Sequence, residues 1–381
     1  MFSKSVLLLL LLPVVAWQTA SARHGGQRAE LAGPEGQAEG VWVMQSSGVK
    51  ASLRGLAVVD AKIVWASGSG GTVIRTLDSG RTWKKVSVKQ APELDFRDIH
   101  AFDANRAIVL SAGQPARIYQ TVDGGGSWKL CFEHPNKKSF FDALSFADEN
   151  YGIAMSDPVD DRVLLIESND GGETWAELPS ERRPKALKGE AGFAASGTNM
   201  RIVGKRILIA LGGAEKGQRK SKSRIVYSDD RAKTWQAAEV PIARSESSGI
   251  FSVHFTDKKN GVVVGGDYLQ PESKSGNIAV TNDGGLTWKT PSGTPPFGFR
   301  SGVAHFQSGD ESVLVCVGTN GTDVSIDGGN NWKKVSENGF HAIAFTKGNF
   351  GWATGGDGTV ARWNQNWDAT KKRSVTPNQS R

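Results

Sequence analysis

The sequence predicts an all-β fold, a seven-bladed β-propeller closed into a ring by its N-terminal strand. Three observations carry that expectation. Six copies align on an eight-residue pattern, [ST]-x-D-x-G-x-[TS]-W, the fourth and the sixth each with one departure; four short alternating strands fit between consecutive copies, and the last unit lacks one strand that the N-terminal end can supply. Repeats of about 40–60 residues with strand-like alternation are the mark of propeller blades.

The copies end at Trp83, Trp128, Trp175, Trp235, Trp288 and Trp332, at intervals of 45, 47, 60, 53 and 44 residues. After Trp83 come "KKVSV", "FRDIHAF", "RAIVLSAG" and "ARIYQT", read as strands d, a, b and c in that order. After the sixth copy, "FHAIAF", "GWATGG" and "TVARW" give a, b and c of a seventh unit. The missing d strand is "VWVMQ", Val41 to Gln45, which precedes "SLRGLAVV" as "TWKKV" precedes "FRDIHAF". Closure of this kind removes the two open sheet edges.

The repeated letters have a mechanical reading. An Asp in a tight turn accepts hydrogen bonds from backbone N–H groups further on. A Gly two residues later supplies positive φ without a Cβ clash. The Ser or Thr hydroxyl ties the turn together, and the Trp buries a large apolar area between sheets. Asp78, Asp123, Asp170, Asp230, Asp283 and Asp327 are therefore structural, not catalytic. The fourth copy has Ala232 where Gly is expected, so its turn is expected to be looser or differently shaped.

This pattern resembles the Asp-box, or bacterial neuraminidase (BNR) repeat, of sialidases and sortilin-type receptors. The longer form, Gly68 through Trp83, most resembles the photosystem II stability/assembly factor group and its uncharacterised bacterial relatives, over residues 41–367. That resemblance implies docking on another protein through an arginine patch. A second implication, from sialidases, is a glycoside hydrolase or lyase acting on acidic carbohydrate. The sialidase match stops early: Leu53-Arg54-Gly55-Leu56 lacks the proline of that family's Phe/Tyr-Arg-Ile-Pro stretch.

Residues 1–22 read as a signal peptide, with Lys4, the apolar run Val6 to Val15 and the small residues Ala20-Ser21-Ala22. The chain is therefore expected to be periplasmic or secreted, with a flexible linker at 23–40 and a polar tail at 368–381. The formal charge of +7 is concentrated in a basic run at 215–224 and in Lys371-Lys372-Arg373. Such runs are usually solvated loops, so neither nucleic acid nor a membrane span is expected. Two cysteines, Cys131 and Cys316, fall on non-adjacent blades and are expected to be free, largely buried thiols, because a disulfide needs Cα atoms within about 7 Å. No CxxC, HExxH or strand-borne GxGxxG is present, which argues against a metal, a cofactor and oxidoreductase chemistry. A monomer is expected.

Strand a lines the channel of a propeller, so the starts of the a strands face one mouth. They read Leu53-Arg54-Gly55, Phe96-Arg97-Asp98, Phe141-Asp142-Ala143, Glu190 to Phe193, Ser248-Gly249-Ile250, Phe299-Arg300-Ser301 and Phe340-His341-Ala342. Charged groups thus converge at one end. Arg54, Arg97 and Arg300 are expected to share one anionic ligand, since planar guanidiniums hold carboxylates or phosphates by paired hydrogen bonds. Asp98, Asp142, Glu190 and His341 orient the ligand or pair with the arginines, as Arg97–Asp98 or Arg54–Asp142. Three enlarged loops, 155–162, 212–224 and 265–277, are expected on the same face, the last carrying Tyr268; Thr198 and Asn199 add polar contacts. The partner class is an anionic small molecule, an acidic glycan or a protein. Were the protein a hydrolase, Asp142, Asp157 or Glu190 would serve as acid and base.

Overall fold

The computed structural model describes residues 40–217 and 221–367. The expected signal peptide, all of the linker but Gly40, the polar tail and part of the basic run lie outside the described residues. Among the described residues the chain forms seven antiparallel sheets arranged as the blades of a β-propeller. Six sheets have four strands and one has three. The only helical element described is a short 3-10 turn, Ser180–Arg182, and among the described residues no helix is long and apolar enough to cross a membrane.

The innermost strands, in blade order, are Leu53–Val58, Asp95–Ala101, Phe141–Phe146, Met200–Val203, Ser248–Phe255, Gly302–Ser308 and Ala342–Phe345. Blade five lacks a full outer strand; a single bridge, Val280 to Lys289, stands in its place. Blade four starts later than the sequence suggests, at Met200 and not near Glu190, and residues 192–199 approach it in irregular conformation. The core lies between blades. One cluster joins Trp65 and Val73 of blade one to Phe96, Tyr119 and Trp128 of blade two; another joins Val315 and Phe306 of blade six to Ile343, Ala361 and Trp363 of blade seven.

Ring closure follows the expected scheme. Trp42–Gln45 pairs antiparallel with Val360–Trp363, with Trp42 opposite Trp363. The Trp42 ring meets Trp363 edge-on at 5.0 Å and Phe340 at 5.0 Å, and its Nε1 donates to Thr322 Oγ1 of blade six at 3.0 Å. Gln45 continues the seam into blade one: Nε2 donates to the Ser79 carbonyl, and Oε1 accepts from the Trp83 and Trp352 indoles.

All six repeat turns use one set of bonds. In the first, Thr76 Oγ1 donates to Asp78 Oδ1 at 2.8 Å and accepts from Gly80 N at 2.9 Å. Thr82 N and Oγ1 then donate to the two Asp78 oxygens at 2.9 and 2.6 Å. In the sixth, the Asn331 amide takes the part of that hydroxyl, 2.8 Å from Asp327 Oδ2. The fourth turn corrects an expectation. Ala232 keeps the shape, its N–H 3.0 Å from Ser228 Oγ, by adopting φ 57 in the left-handed region. The hydrogen bonds and burial impose on Ala232 a conformation that glycine would take without steric cost.

These bonds hold the turn carboxylates below the usual range. Hydrogen bonds, led by the Ser127 hydroxyl, lower Asp123 to about 2. The folded value lies below the unfolded one, so this stabilisation is full above about pH 4 and is lost as pH falls through 2. Asp123→Ala is thus expected to lower the melting temperature at pH 7, and the gap from wild type should close between pH 4 and pH 2. A gap that stays constant across that range would show the carboxylate charge to be irrelevant to the turn.

Both cysteines are free, but only Cys316 is buried; Cys131 is half-buried on its outer strand. The expected loop 155–162 is also corrected. It is a continuation of strands Gly152–Val159 and Arg162–Ser168, closed by a tight turn with Asp160 and Asp161 at φ 52 and 66.

Candidate functional site

A repeated backbone irregularity builds the mouth of the channel. In blade one the register runs Leu53 to Gly68 and then Gly55 to Ser67, skipping Arg54. Blade two skips Arg97, blade three Asp142 and blade five Phe251 in the same way. In blades six and seven, Ser301 N bonds the Val317 carbonyl while Gly302 pairs with Val317, and His341 N bonds the Thr354 carbonyl while Ala342 pairs with Thr354. Each bulge leaves one residue outside the ladder, free to turn toward the axis. The residue after it is small or lies flat against the next blade: a Cβ on Gly55 would come within 2.2 Å of Ser67 Oγ.

The bulge residues meet in a cavity of 370 Å³. One side carries Arg54, Arg97, His341 and Asp142, the other Phe193, Phe251, Phe299 and Tyr268. Phe193 stacks on Phe251 at 4.0 Å, and Phe299 meets Phe251 edge-on at 4.7 Å. Tyr268, 47% exposed, stands edge-on to the stacked pair. Thr319 and Ser301 complete the rim. A wider depression of 740 Å³ lies between blades five and six, near Asp257 and Asp327, but no comparable cation and aromatic groups converge there.

The two mouth arginines differ. Arg97 Nε bonds Asp95 Oδ2 at 2.7 Å, so its partner is Asp95 and not Asp98. Among the described residues no acid lies within ion-pair reach of Arg54. Burial, and then the Arg97 charge, lower its pKa, which Asp95 opposes. His341 is pushed down to about 4 by burial and by Arg54 and Arg97, so it is neutral at pH 7; its Nε2 lies 3.3 Å from Ser52 Oγ. Asp142 is buried, and no N–H or hydroxyl reaches either of its oxygens; its hydrogen-bonding neighbour is the Asp157 carboxyl. Burial and the neighbouring Asp157 raise it well above the usual range. Burial likewise raises Asp157 to about 6, although its Oδ1 accepts from Gly192 N at 2.8 Å. The pair therefore retains a proton that exposed carboxyls would have lost.

Several expected site residues are placed elsewhere. Arg300 is 0% exposed and belongs to the wall. Its Nε donates to Asp323 Oδ2 at 2.6 Å, its Nη1 to the Phe299 carbonyl at 2.7 Å and to Asn320 Oδ1 at 2.5 Å. The bulge of blade six lies one residue further on, at Ser301. Glu190 is buried and held by Arg224, with Arg224 Nη2 2.6 Å from Oε2, so it has no free oxygen for catalysis or binding. Asp98 is buried in the channel wall, accepting from Ile99 N and Leu144 N at 2.8 Å each, and burial raises it to about 7. Asn199 is fully buried and lines neither mouth. Of the aromatic half of the cavity, only Tyr268 is among the expected site residues; Phe193, Phe251 and Phe299 were not anticipated. The pattern of buried residue, variable residue, small residue could have revealed Phe251, since Ile250-Phe251-Ser252 obeys the same rule as Phe340-His341-Ala342.

The channel does not run through. Residues 192–199 cross it on the way into blade four. Ser196 Oγ donates to the Ser301 carbonyl at 2.8 Å, Val253 N donates to the Thr198 carbonyl at 2.9 Å, and Gly197 rests against Asp98. Gly192 and Ala195 line the mouth described above, whereas Ser196 and Thr198 line a second chamber at the other end. Thr198 thus leaves the expected site for the opposite one. No group of three or more His, Cys, Asp or Glu residues able to hold a metal occurs among the described residues.

Fold and site together define a seven-bladed β-propeller with a cation-and-aromatic mouth and a blocked axis. The sequence matches no family model and none of the curated proteins. Similar folds occur among solved structures. YCF48 bound to a D1 peptide matches with TM-score 0.62 and 17% identity, over 88% of this chain and 98% of that one. YCF48 from Cyanidioschyzon merolae gives 0.56 and 18%, over 85% and 98%. The WD40 propeller domain of Doa1 gives 0.54 and 13%, over 85% and 97%. At these identities the likeness shows the fold.

Proposed function

We propose that the protein is an exported binding propeller, assembly-factor-like, that holds an acidic and partly apolar segment of another protein at the Arg54–Phe251 mouth. Its six turns would be Asp-boxes of the bacterial neuraminidase type. The observation that carries the reading is Arg54, a guanidinium without an acid partner, facing a wall of stacked rings in one cavity. A carboxylate satisfies Arg54 and Arg97, and an adjoining apolar side chain packs on Phe193, Phe251 and Phe299. A peptide supplies both in one chain, and the Asp142–Asp157 pair, which retains one proton, opposes only part of the positive charge at the mouth. That one structural relative is bound to a peptide, and that YCF48 is a photosystem II assembly factor, agrees with this reading. Export rests on the apolar leader. A hydrolase acting on acidic carbohydrate would have only Asp142 and Asp157 as its acid–base pair.

The test is fluorescence anisotropy with short acidic peptides that carry an aromatic or aliphatic residue beside the carboxylate. Arg54→Lys keeps the charge but loses the planar pair of donors, and should weaken binding roughly tenfold, the scale of one charge-assisted hydrogen bond. Phe251→Ala should weaken it without altering the salt dependence. Asp123→Ala, on the opposite face, should bind as wild type. Wild-type affinity in both Arg54→Lys and Phe251→Ala would place the binding surface elsewhere.

A further inference from the structure

The second chamber, 420 Å³, lies at the ends of the a strands, beyond the segment that blocks the axis. Its chargeable groups are Arg201, His254, His305 and Lys347, and no carboxylate lines it. Arg201 projects from the short innermost strand of blade four, while its neighbours Met200 and Ile202 pack into the cluster between blades three and four. Among the described residues no acceptor is bonded to its guanidinium. His254 Nε2 and His305 Nδ1 lie 2.6 Å apart, so one ring donates to the other, and the remaining nitrogen of His254, Nδ1, is buried without a partner. The rest of the lining is mainly apolar, with Val303, Ala304 and Ile343.

A half-buried cation in a largely apolar chamber without a counter-ion is costly, and natural proteins rarely leave one so. We propose that this chamber is a binding site for a small oxyanion, a carboxylate or a phosphate, gripped by Arg201 beside the His254–His305 pair. The guanidinium supplies planar paired donors and a neighbouring imidazole N–H supplies another. The chamber has room for an anion with a short carbon chain on the apolar side. Burial, then Arg201, then His305 hold His254 well below its ordinary value, and burial followed by Arg201 lowers His305. A bound anion reverses part of that effect, so by linkage it binds more tightly as the pH falls.

The experiment is calorimetric titration of the whole protein with inorganic phosphate and, separately, with acetate, alongside the ring signals of His254 and His305 in NMR. At least one anion should move both ring signals in wild type and, followed by those signals, bind Arg201→Gln at least tenfold more weakly. Acetate, which does not itself titrate between pH 6 and 8, should bind more tightly at pH 6 if it is bound at all. Phosphate alone, acetate alone or both would identify the class of oxyanion. Should Arg201→Gln fail to fold, His305→Gln is read in its place. Binding of neither anion to wild type, or undiminished binding to the folded Arg201 or His305 variant, overturns the proposal.

Discussion

Replacing Arg300 by alanine should cost about 3–5 kcal/mol of folding stability, the usual loss when one member of a buried ion pair is removed. Both side chains of the Arg300–Asp323 pair are inaccessible to solvent. Without the guanidinium, Asp323 keeps only long contacts from Phe297 N, at 3.3 and 3.4 Å, and lies 4.0 Å from the Cys316 sulfur. Burial already raises the Asp323 pKa even with Arg300 beside it. The double variant Arg300→Met with Asp323→Leu should recover much of the loss, because it leaves no charge stranded. Urea unfolding of the three proteins decides the matter. A single variant within about 1 kcal/mol of wild type would mean the pair is not the internal brace described here.

The second large effect is expected at the seam. Trp42→Ala removes an indole packed between Phe340 and Trp363 and breaks its bond to Thr322. Truncation of a buried Trp costs about 3–5 kcal/mol. Deleting residues 41–46 goes further, because it uncovers the edge of Val360–Trp363 and removes Gln45, which bonds the Trp83 and Trp352 indoles. That truncation should unfold at much lower temperature and self-associate through the open edge. Thermal melts with light scattering test this; a truncated chain that melts as wild type would show the ring to be closed by other means.

The blade count and the split seventh blade were legible because both depend on short-range letters: the turn residues and the Trp that follows each. The mouth was legible only in part. Arg54, Arg97, Asp142 and His341 sit at the bulges, and their neighbours marked them. Arg300 misled because the strand start was set by its preceding Phe, whereas the register is set by the small residue that follows, Gly302. Glu190 misled for another reason. Its partner Arg224 is 34 positions away, and no local pattern announces such a pair. Phe193, Phe251 and Phe299 also escaped notice, because rings at strand starts look like ordinary core in a sequence; Tyr268, on a long loop, did not. The blocked axis depends on eight irregular residues whose path is fixed by contacts with three other blades.

That blockage has a consequence for how the molecule can be used. A propeller with an open bore has one axial well reachable from either end. Here residues 192–199 make a shared partition, so the protein is two back-to-back cups with separate contents. Occupants of the two cups cannot compete for space, nor can a chain be threaded from one side to the other. The partition is a single, tightly packed segment: Ala195 lines one cup and Ser196 the other, Gly197 has φ 70, and a Cβ there would come within 2.1 Å of the Asp98 carboxylate. Any change in that wall is felt on both sides at once, which makes it the natural place for the contents of one cup to influence the other.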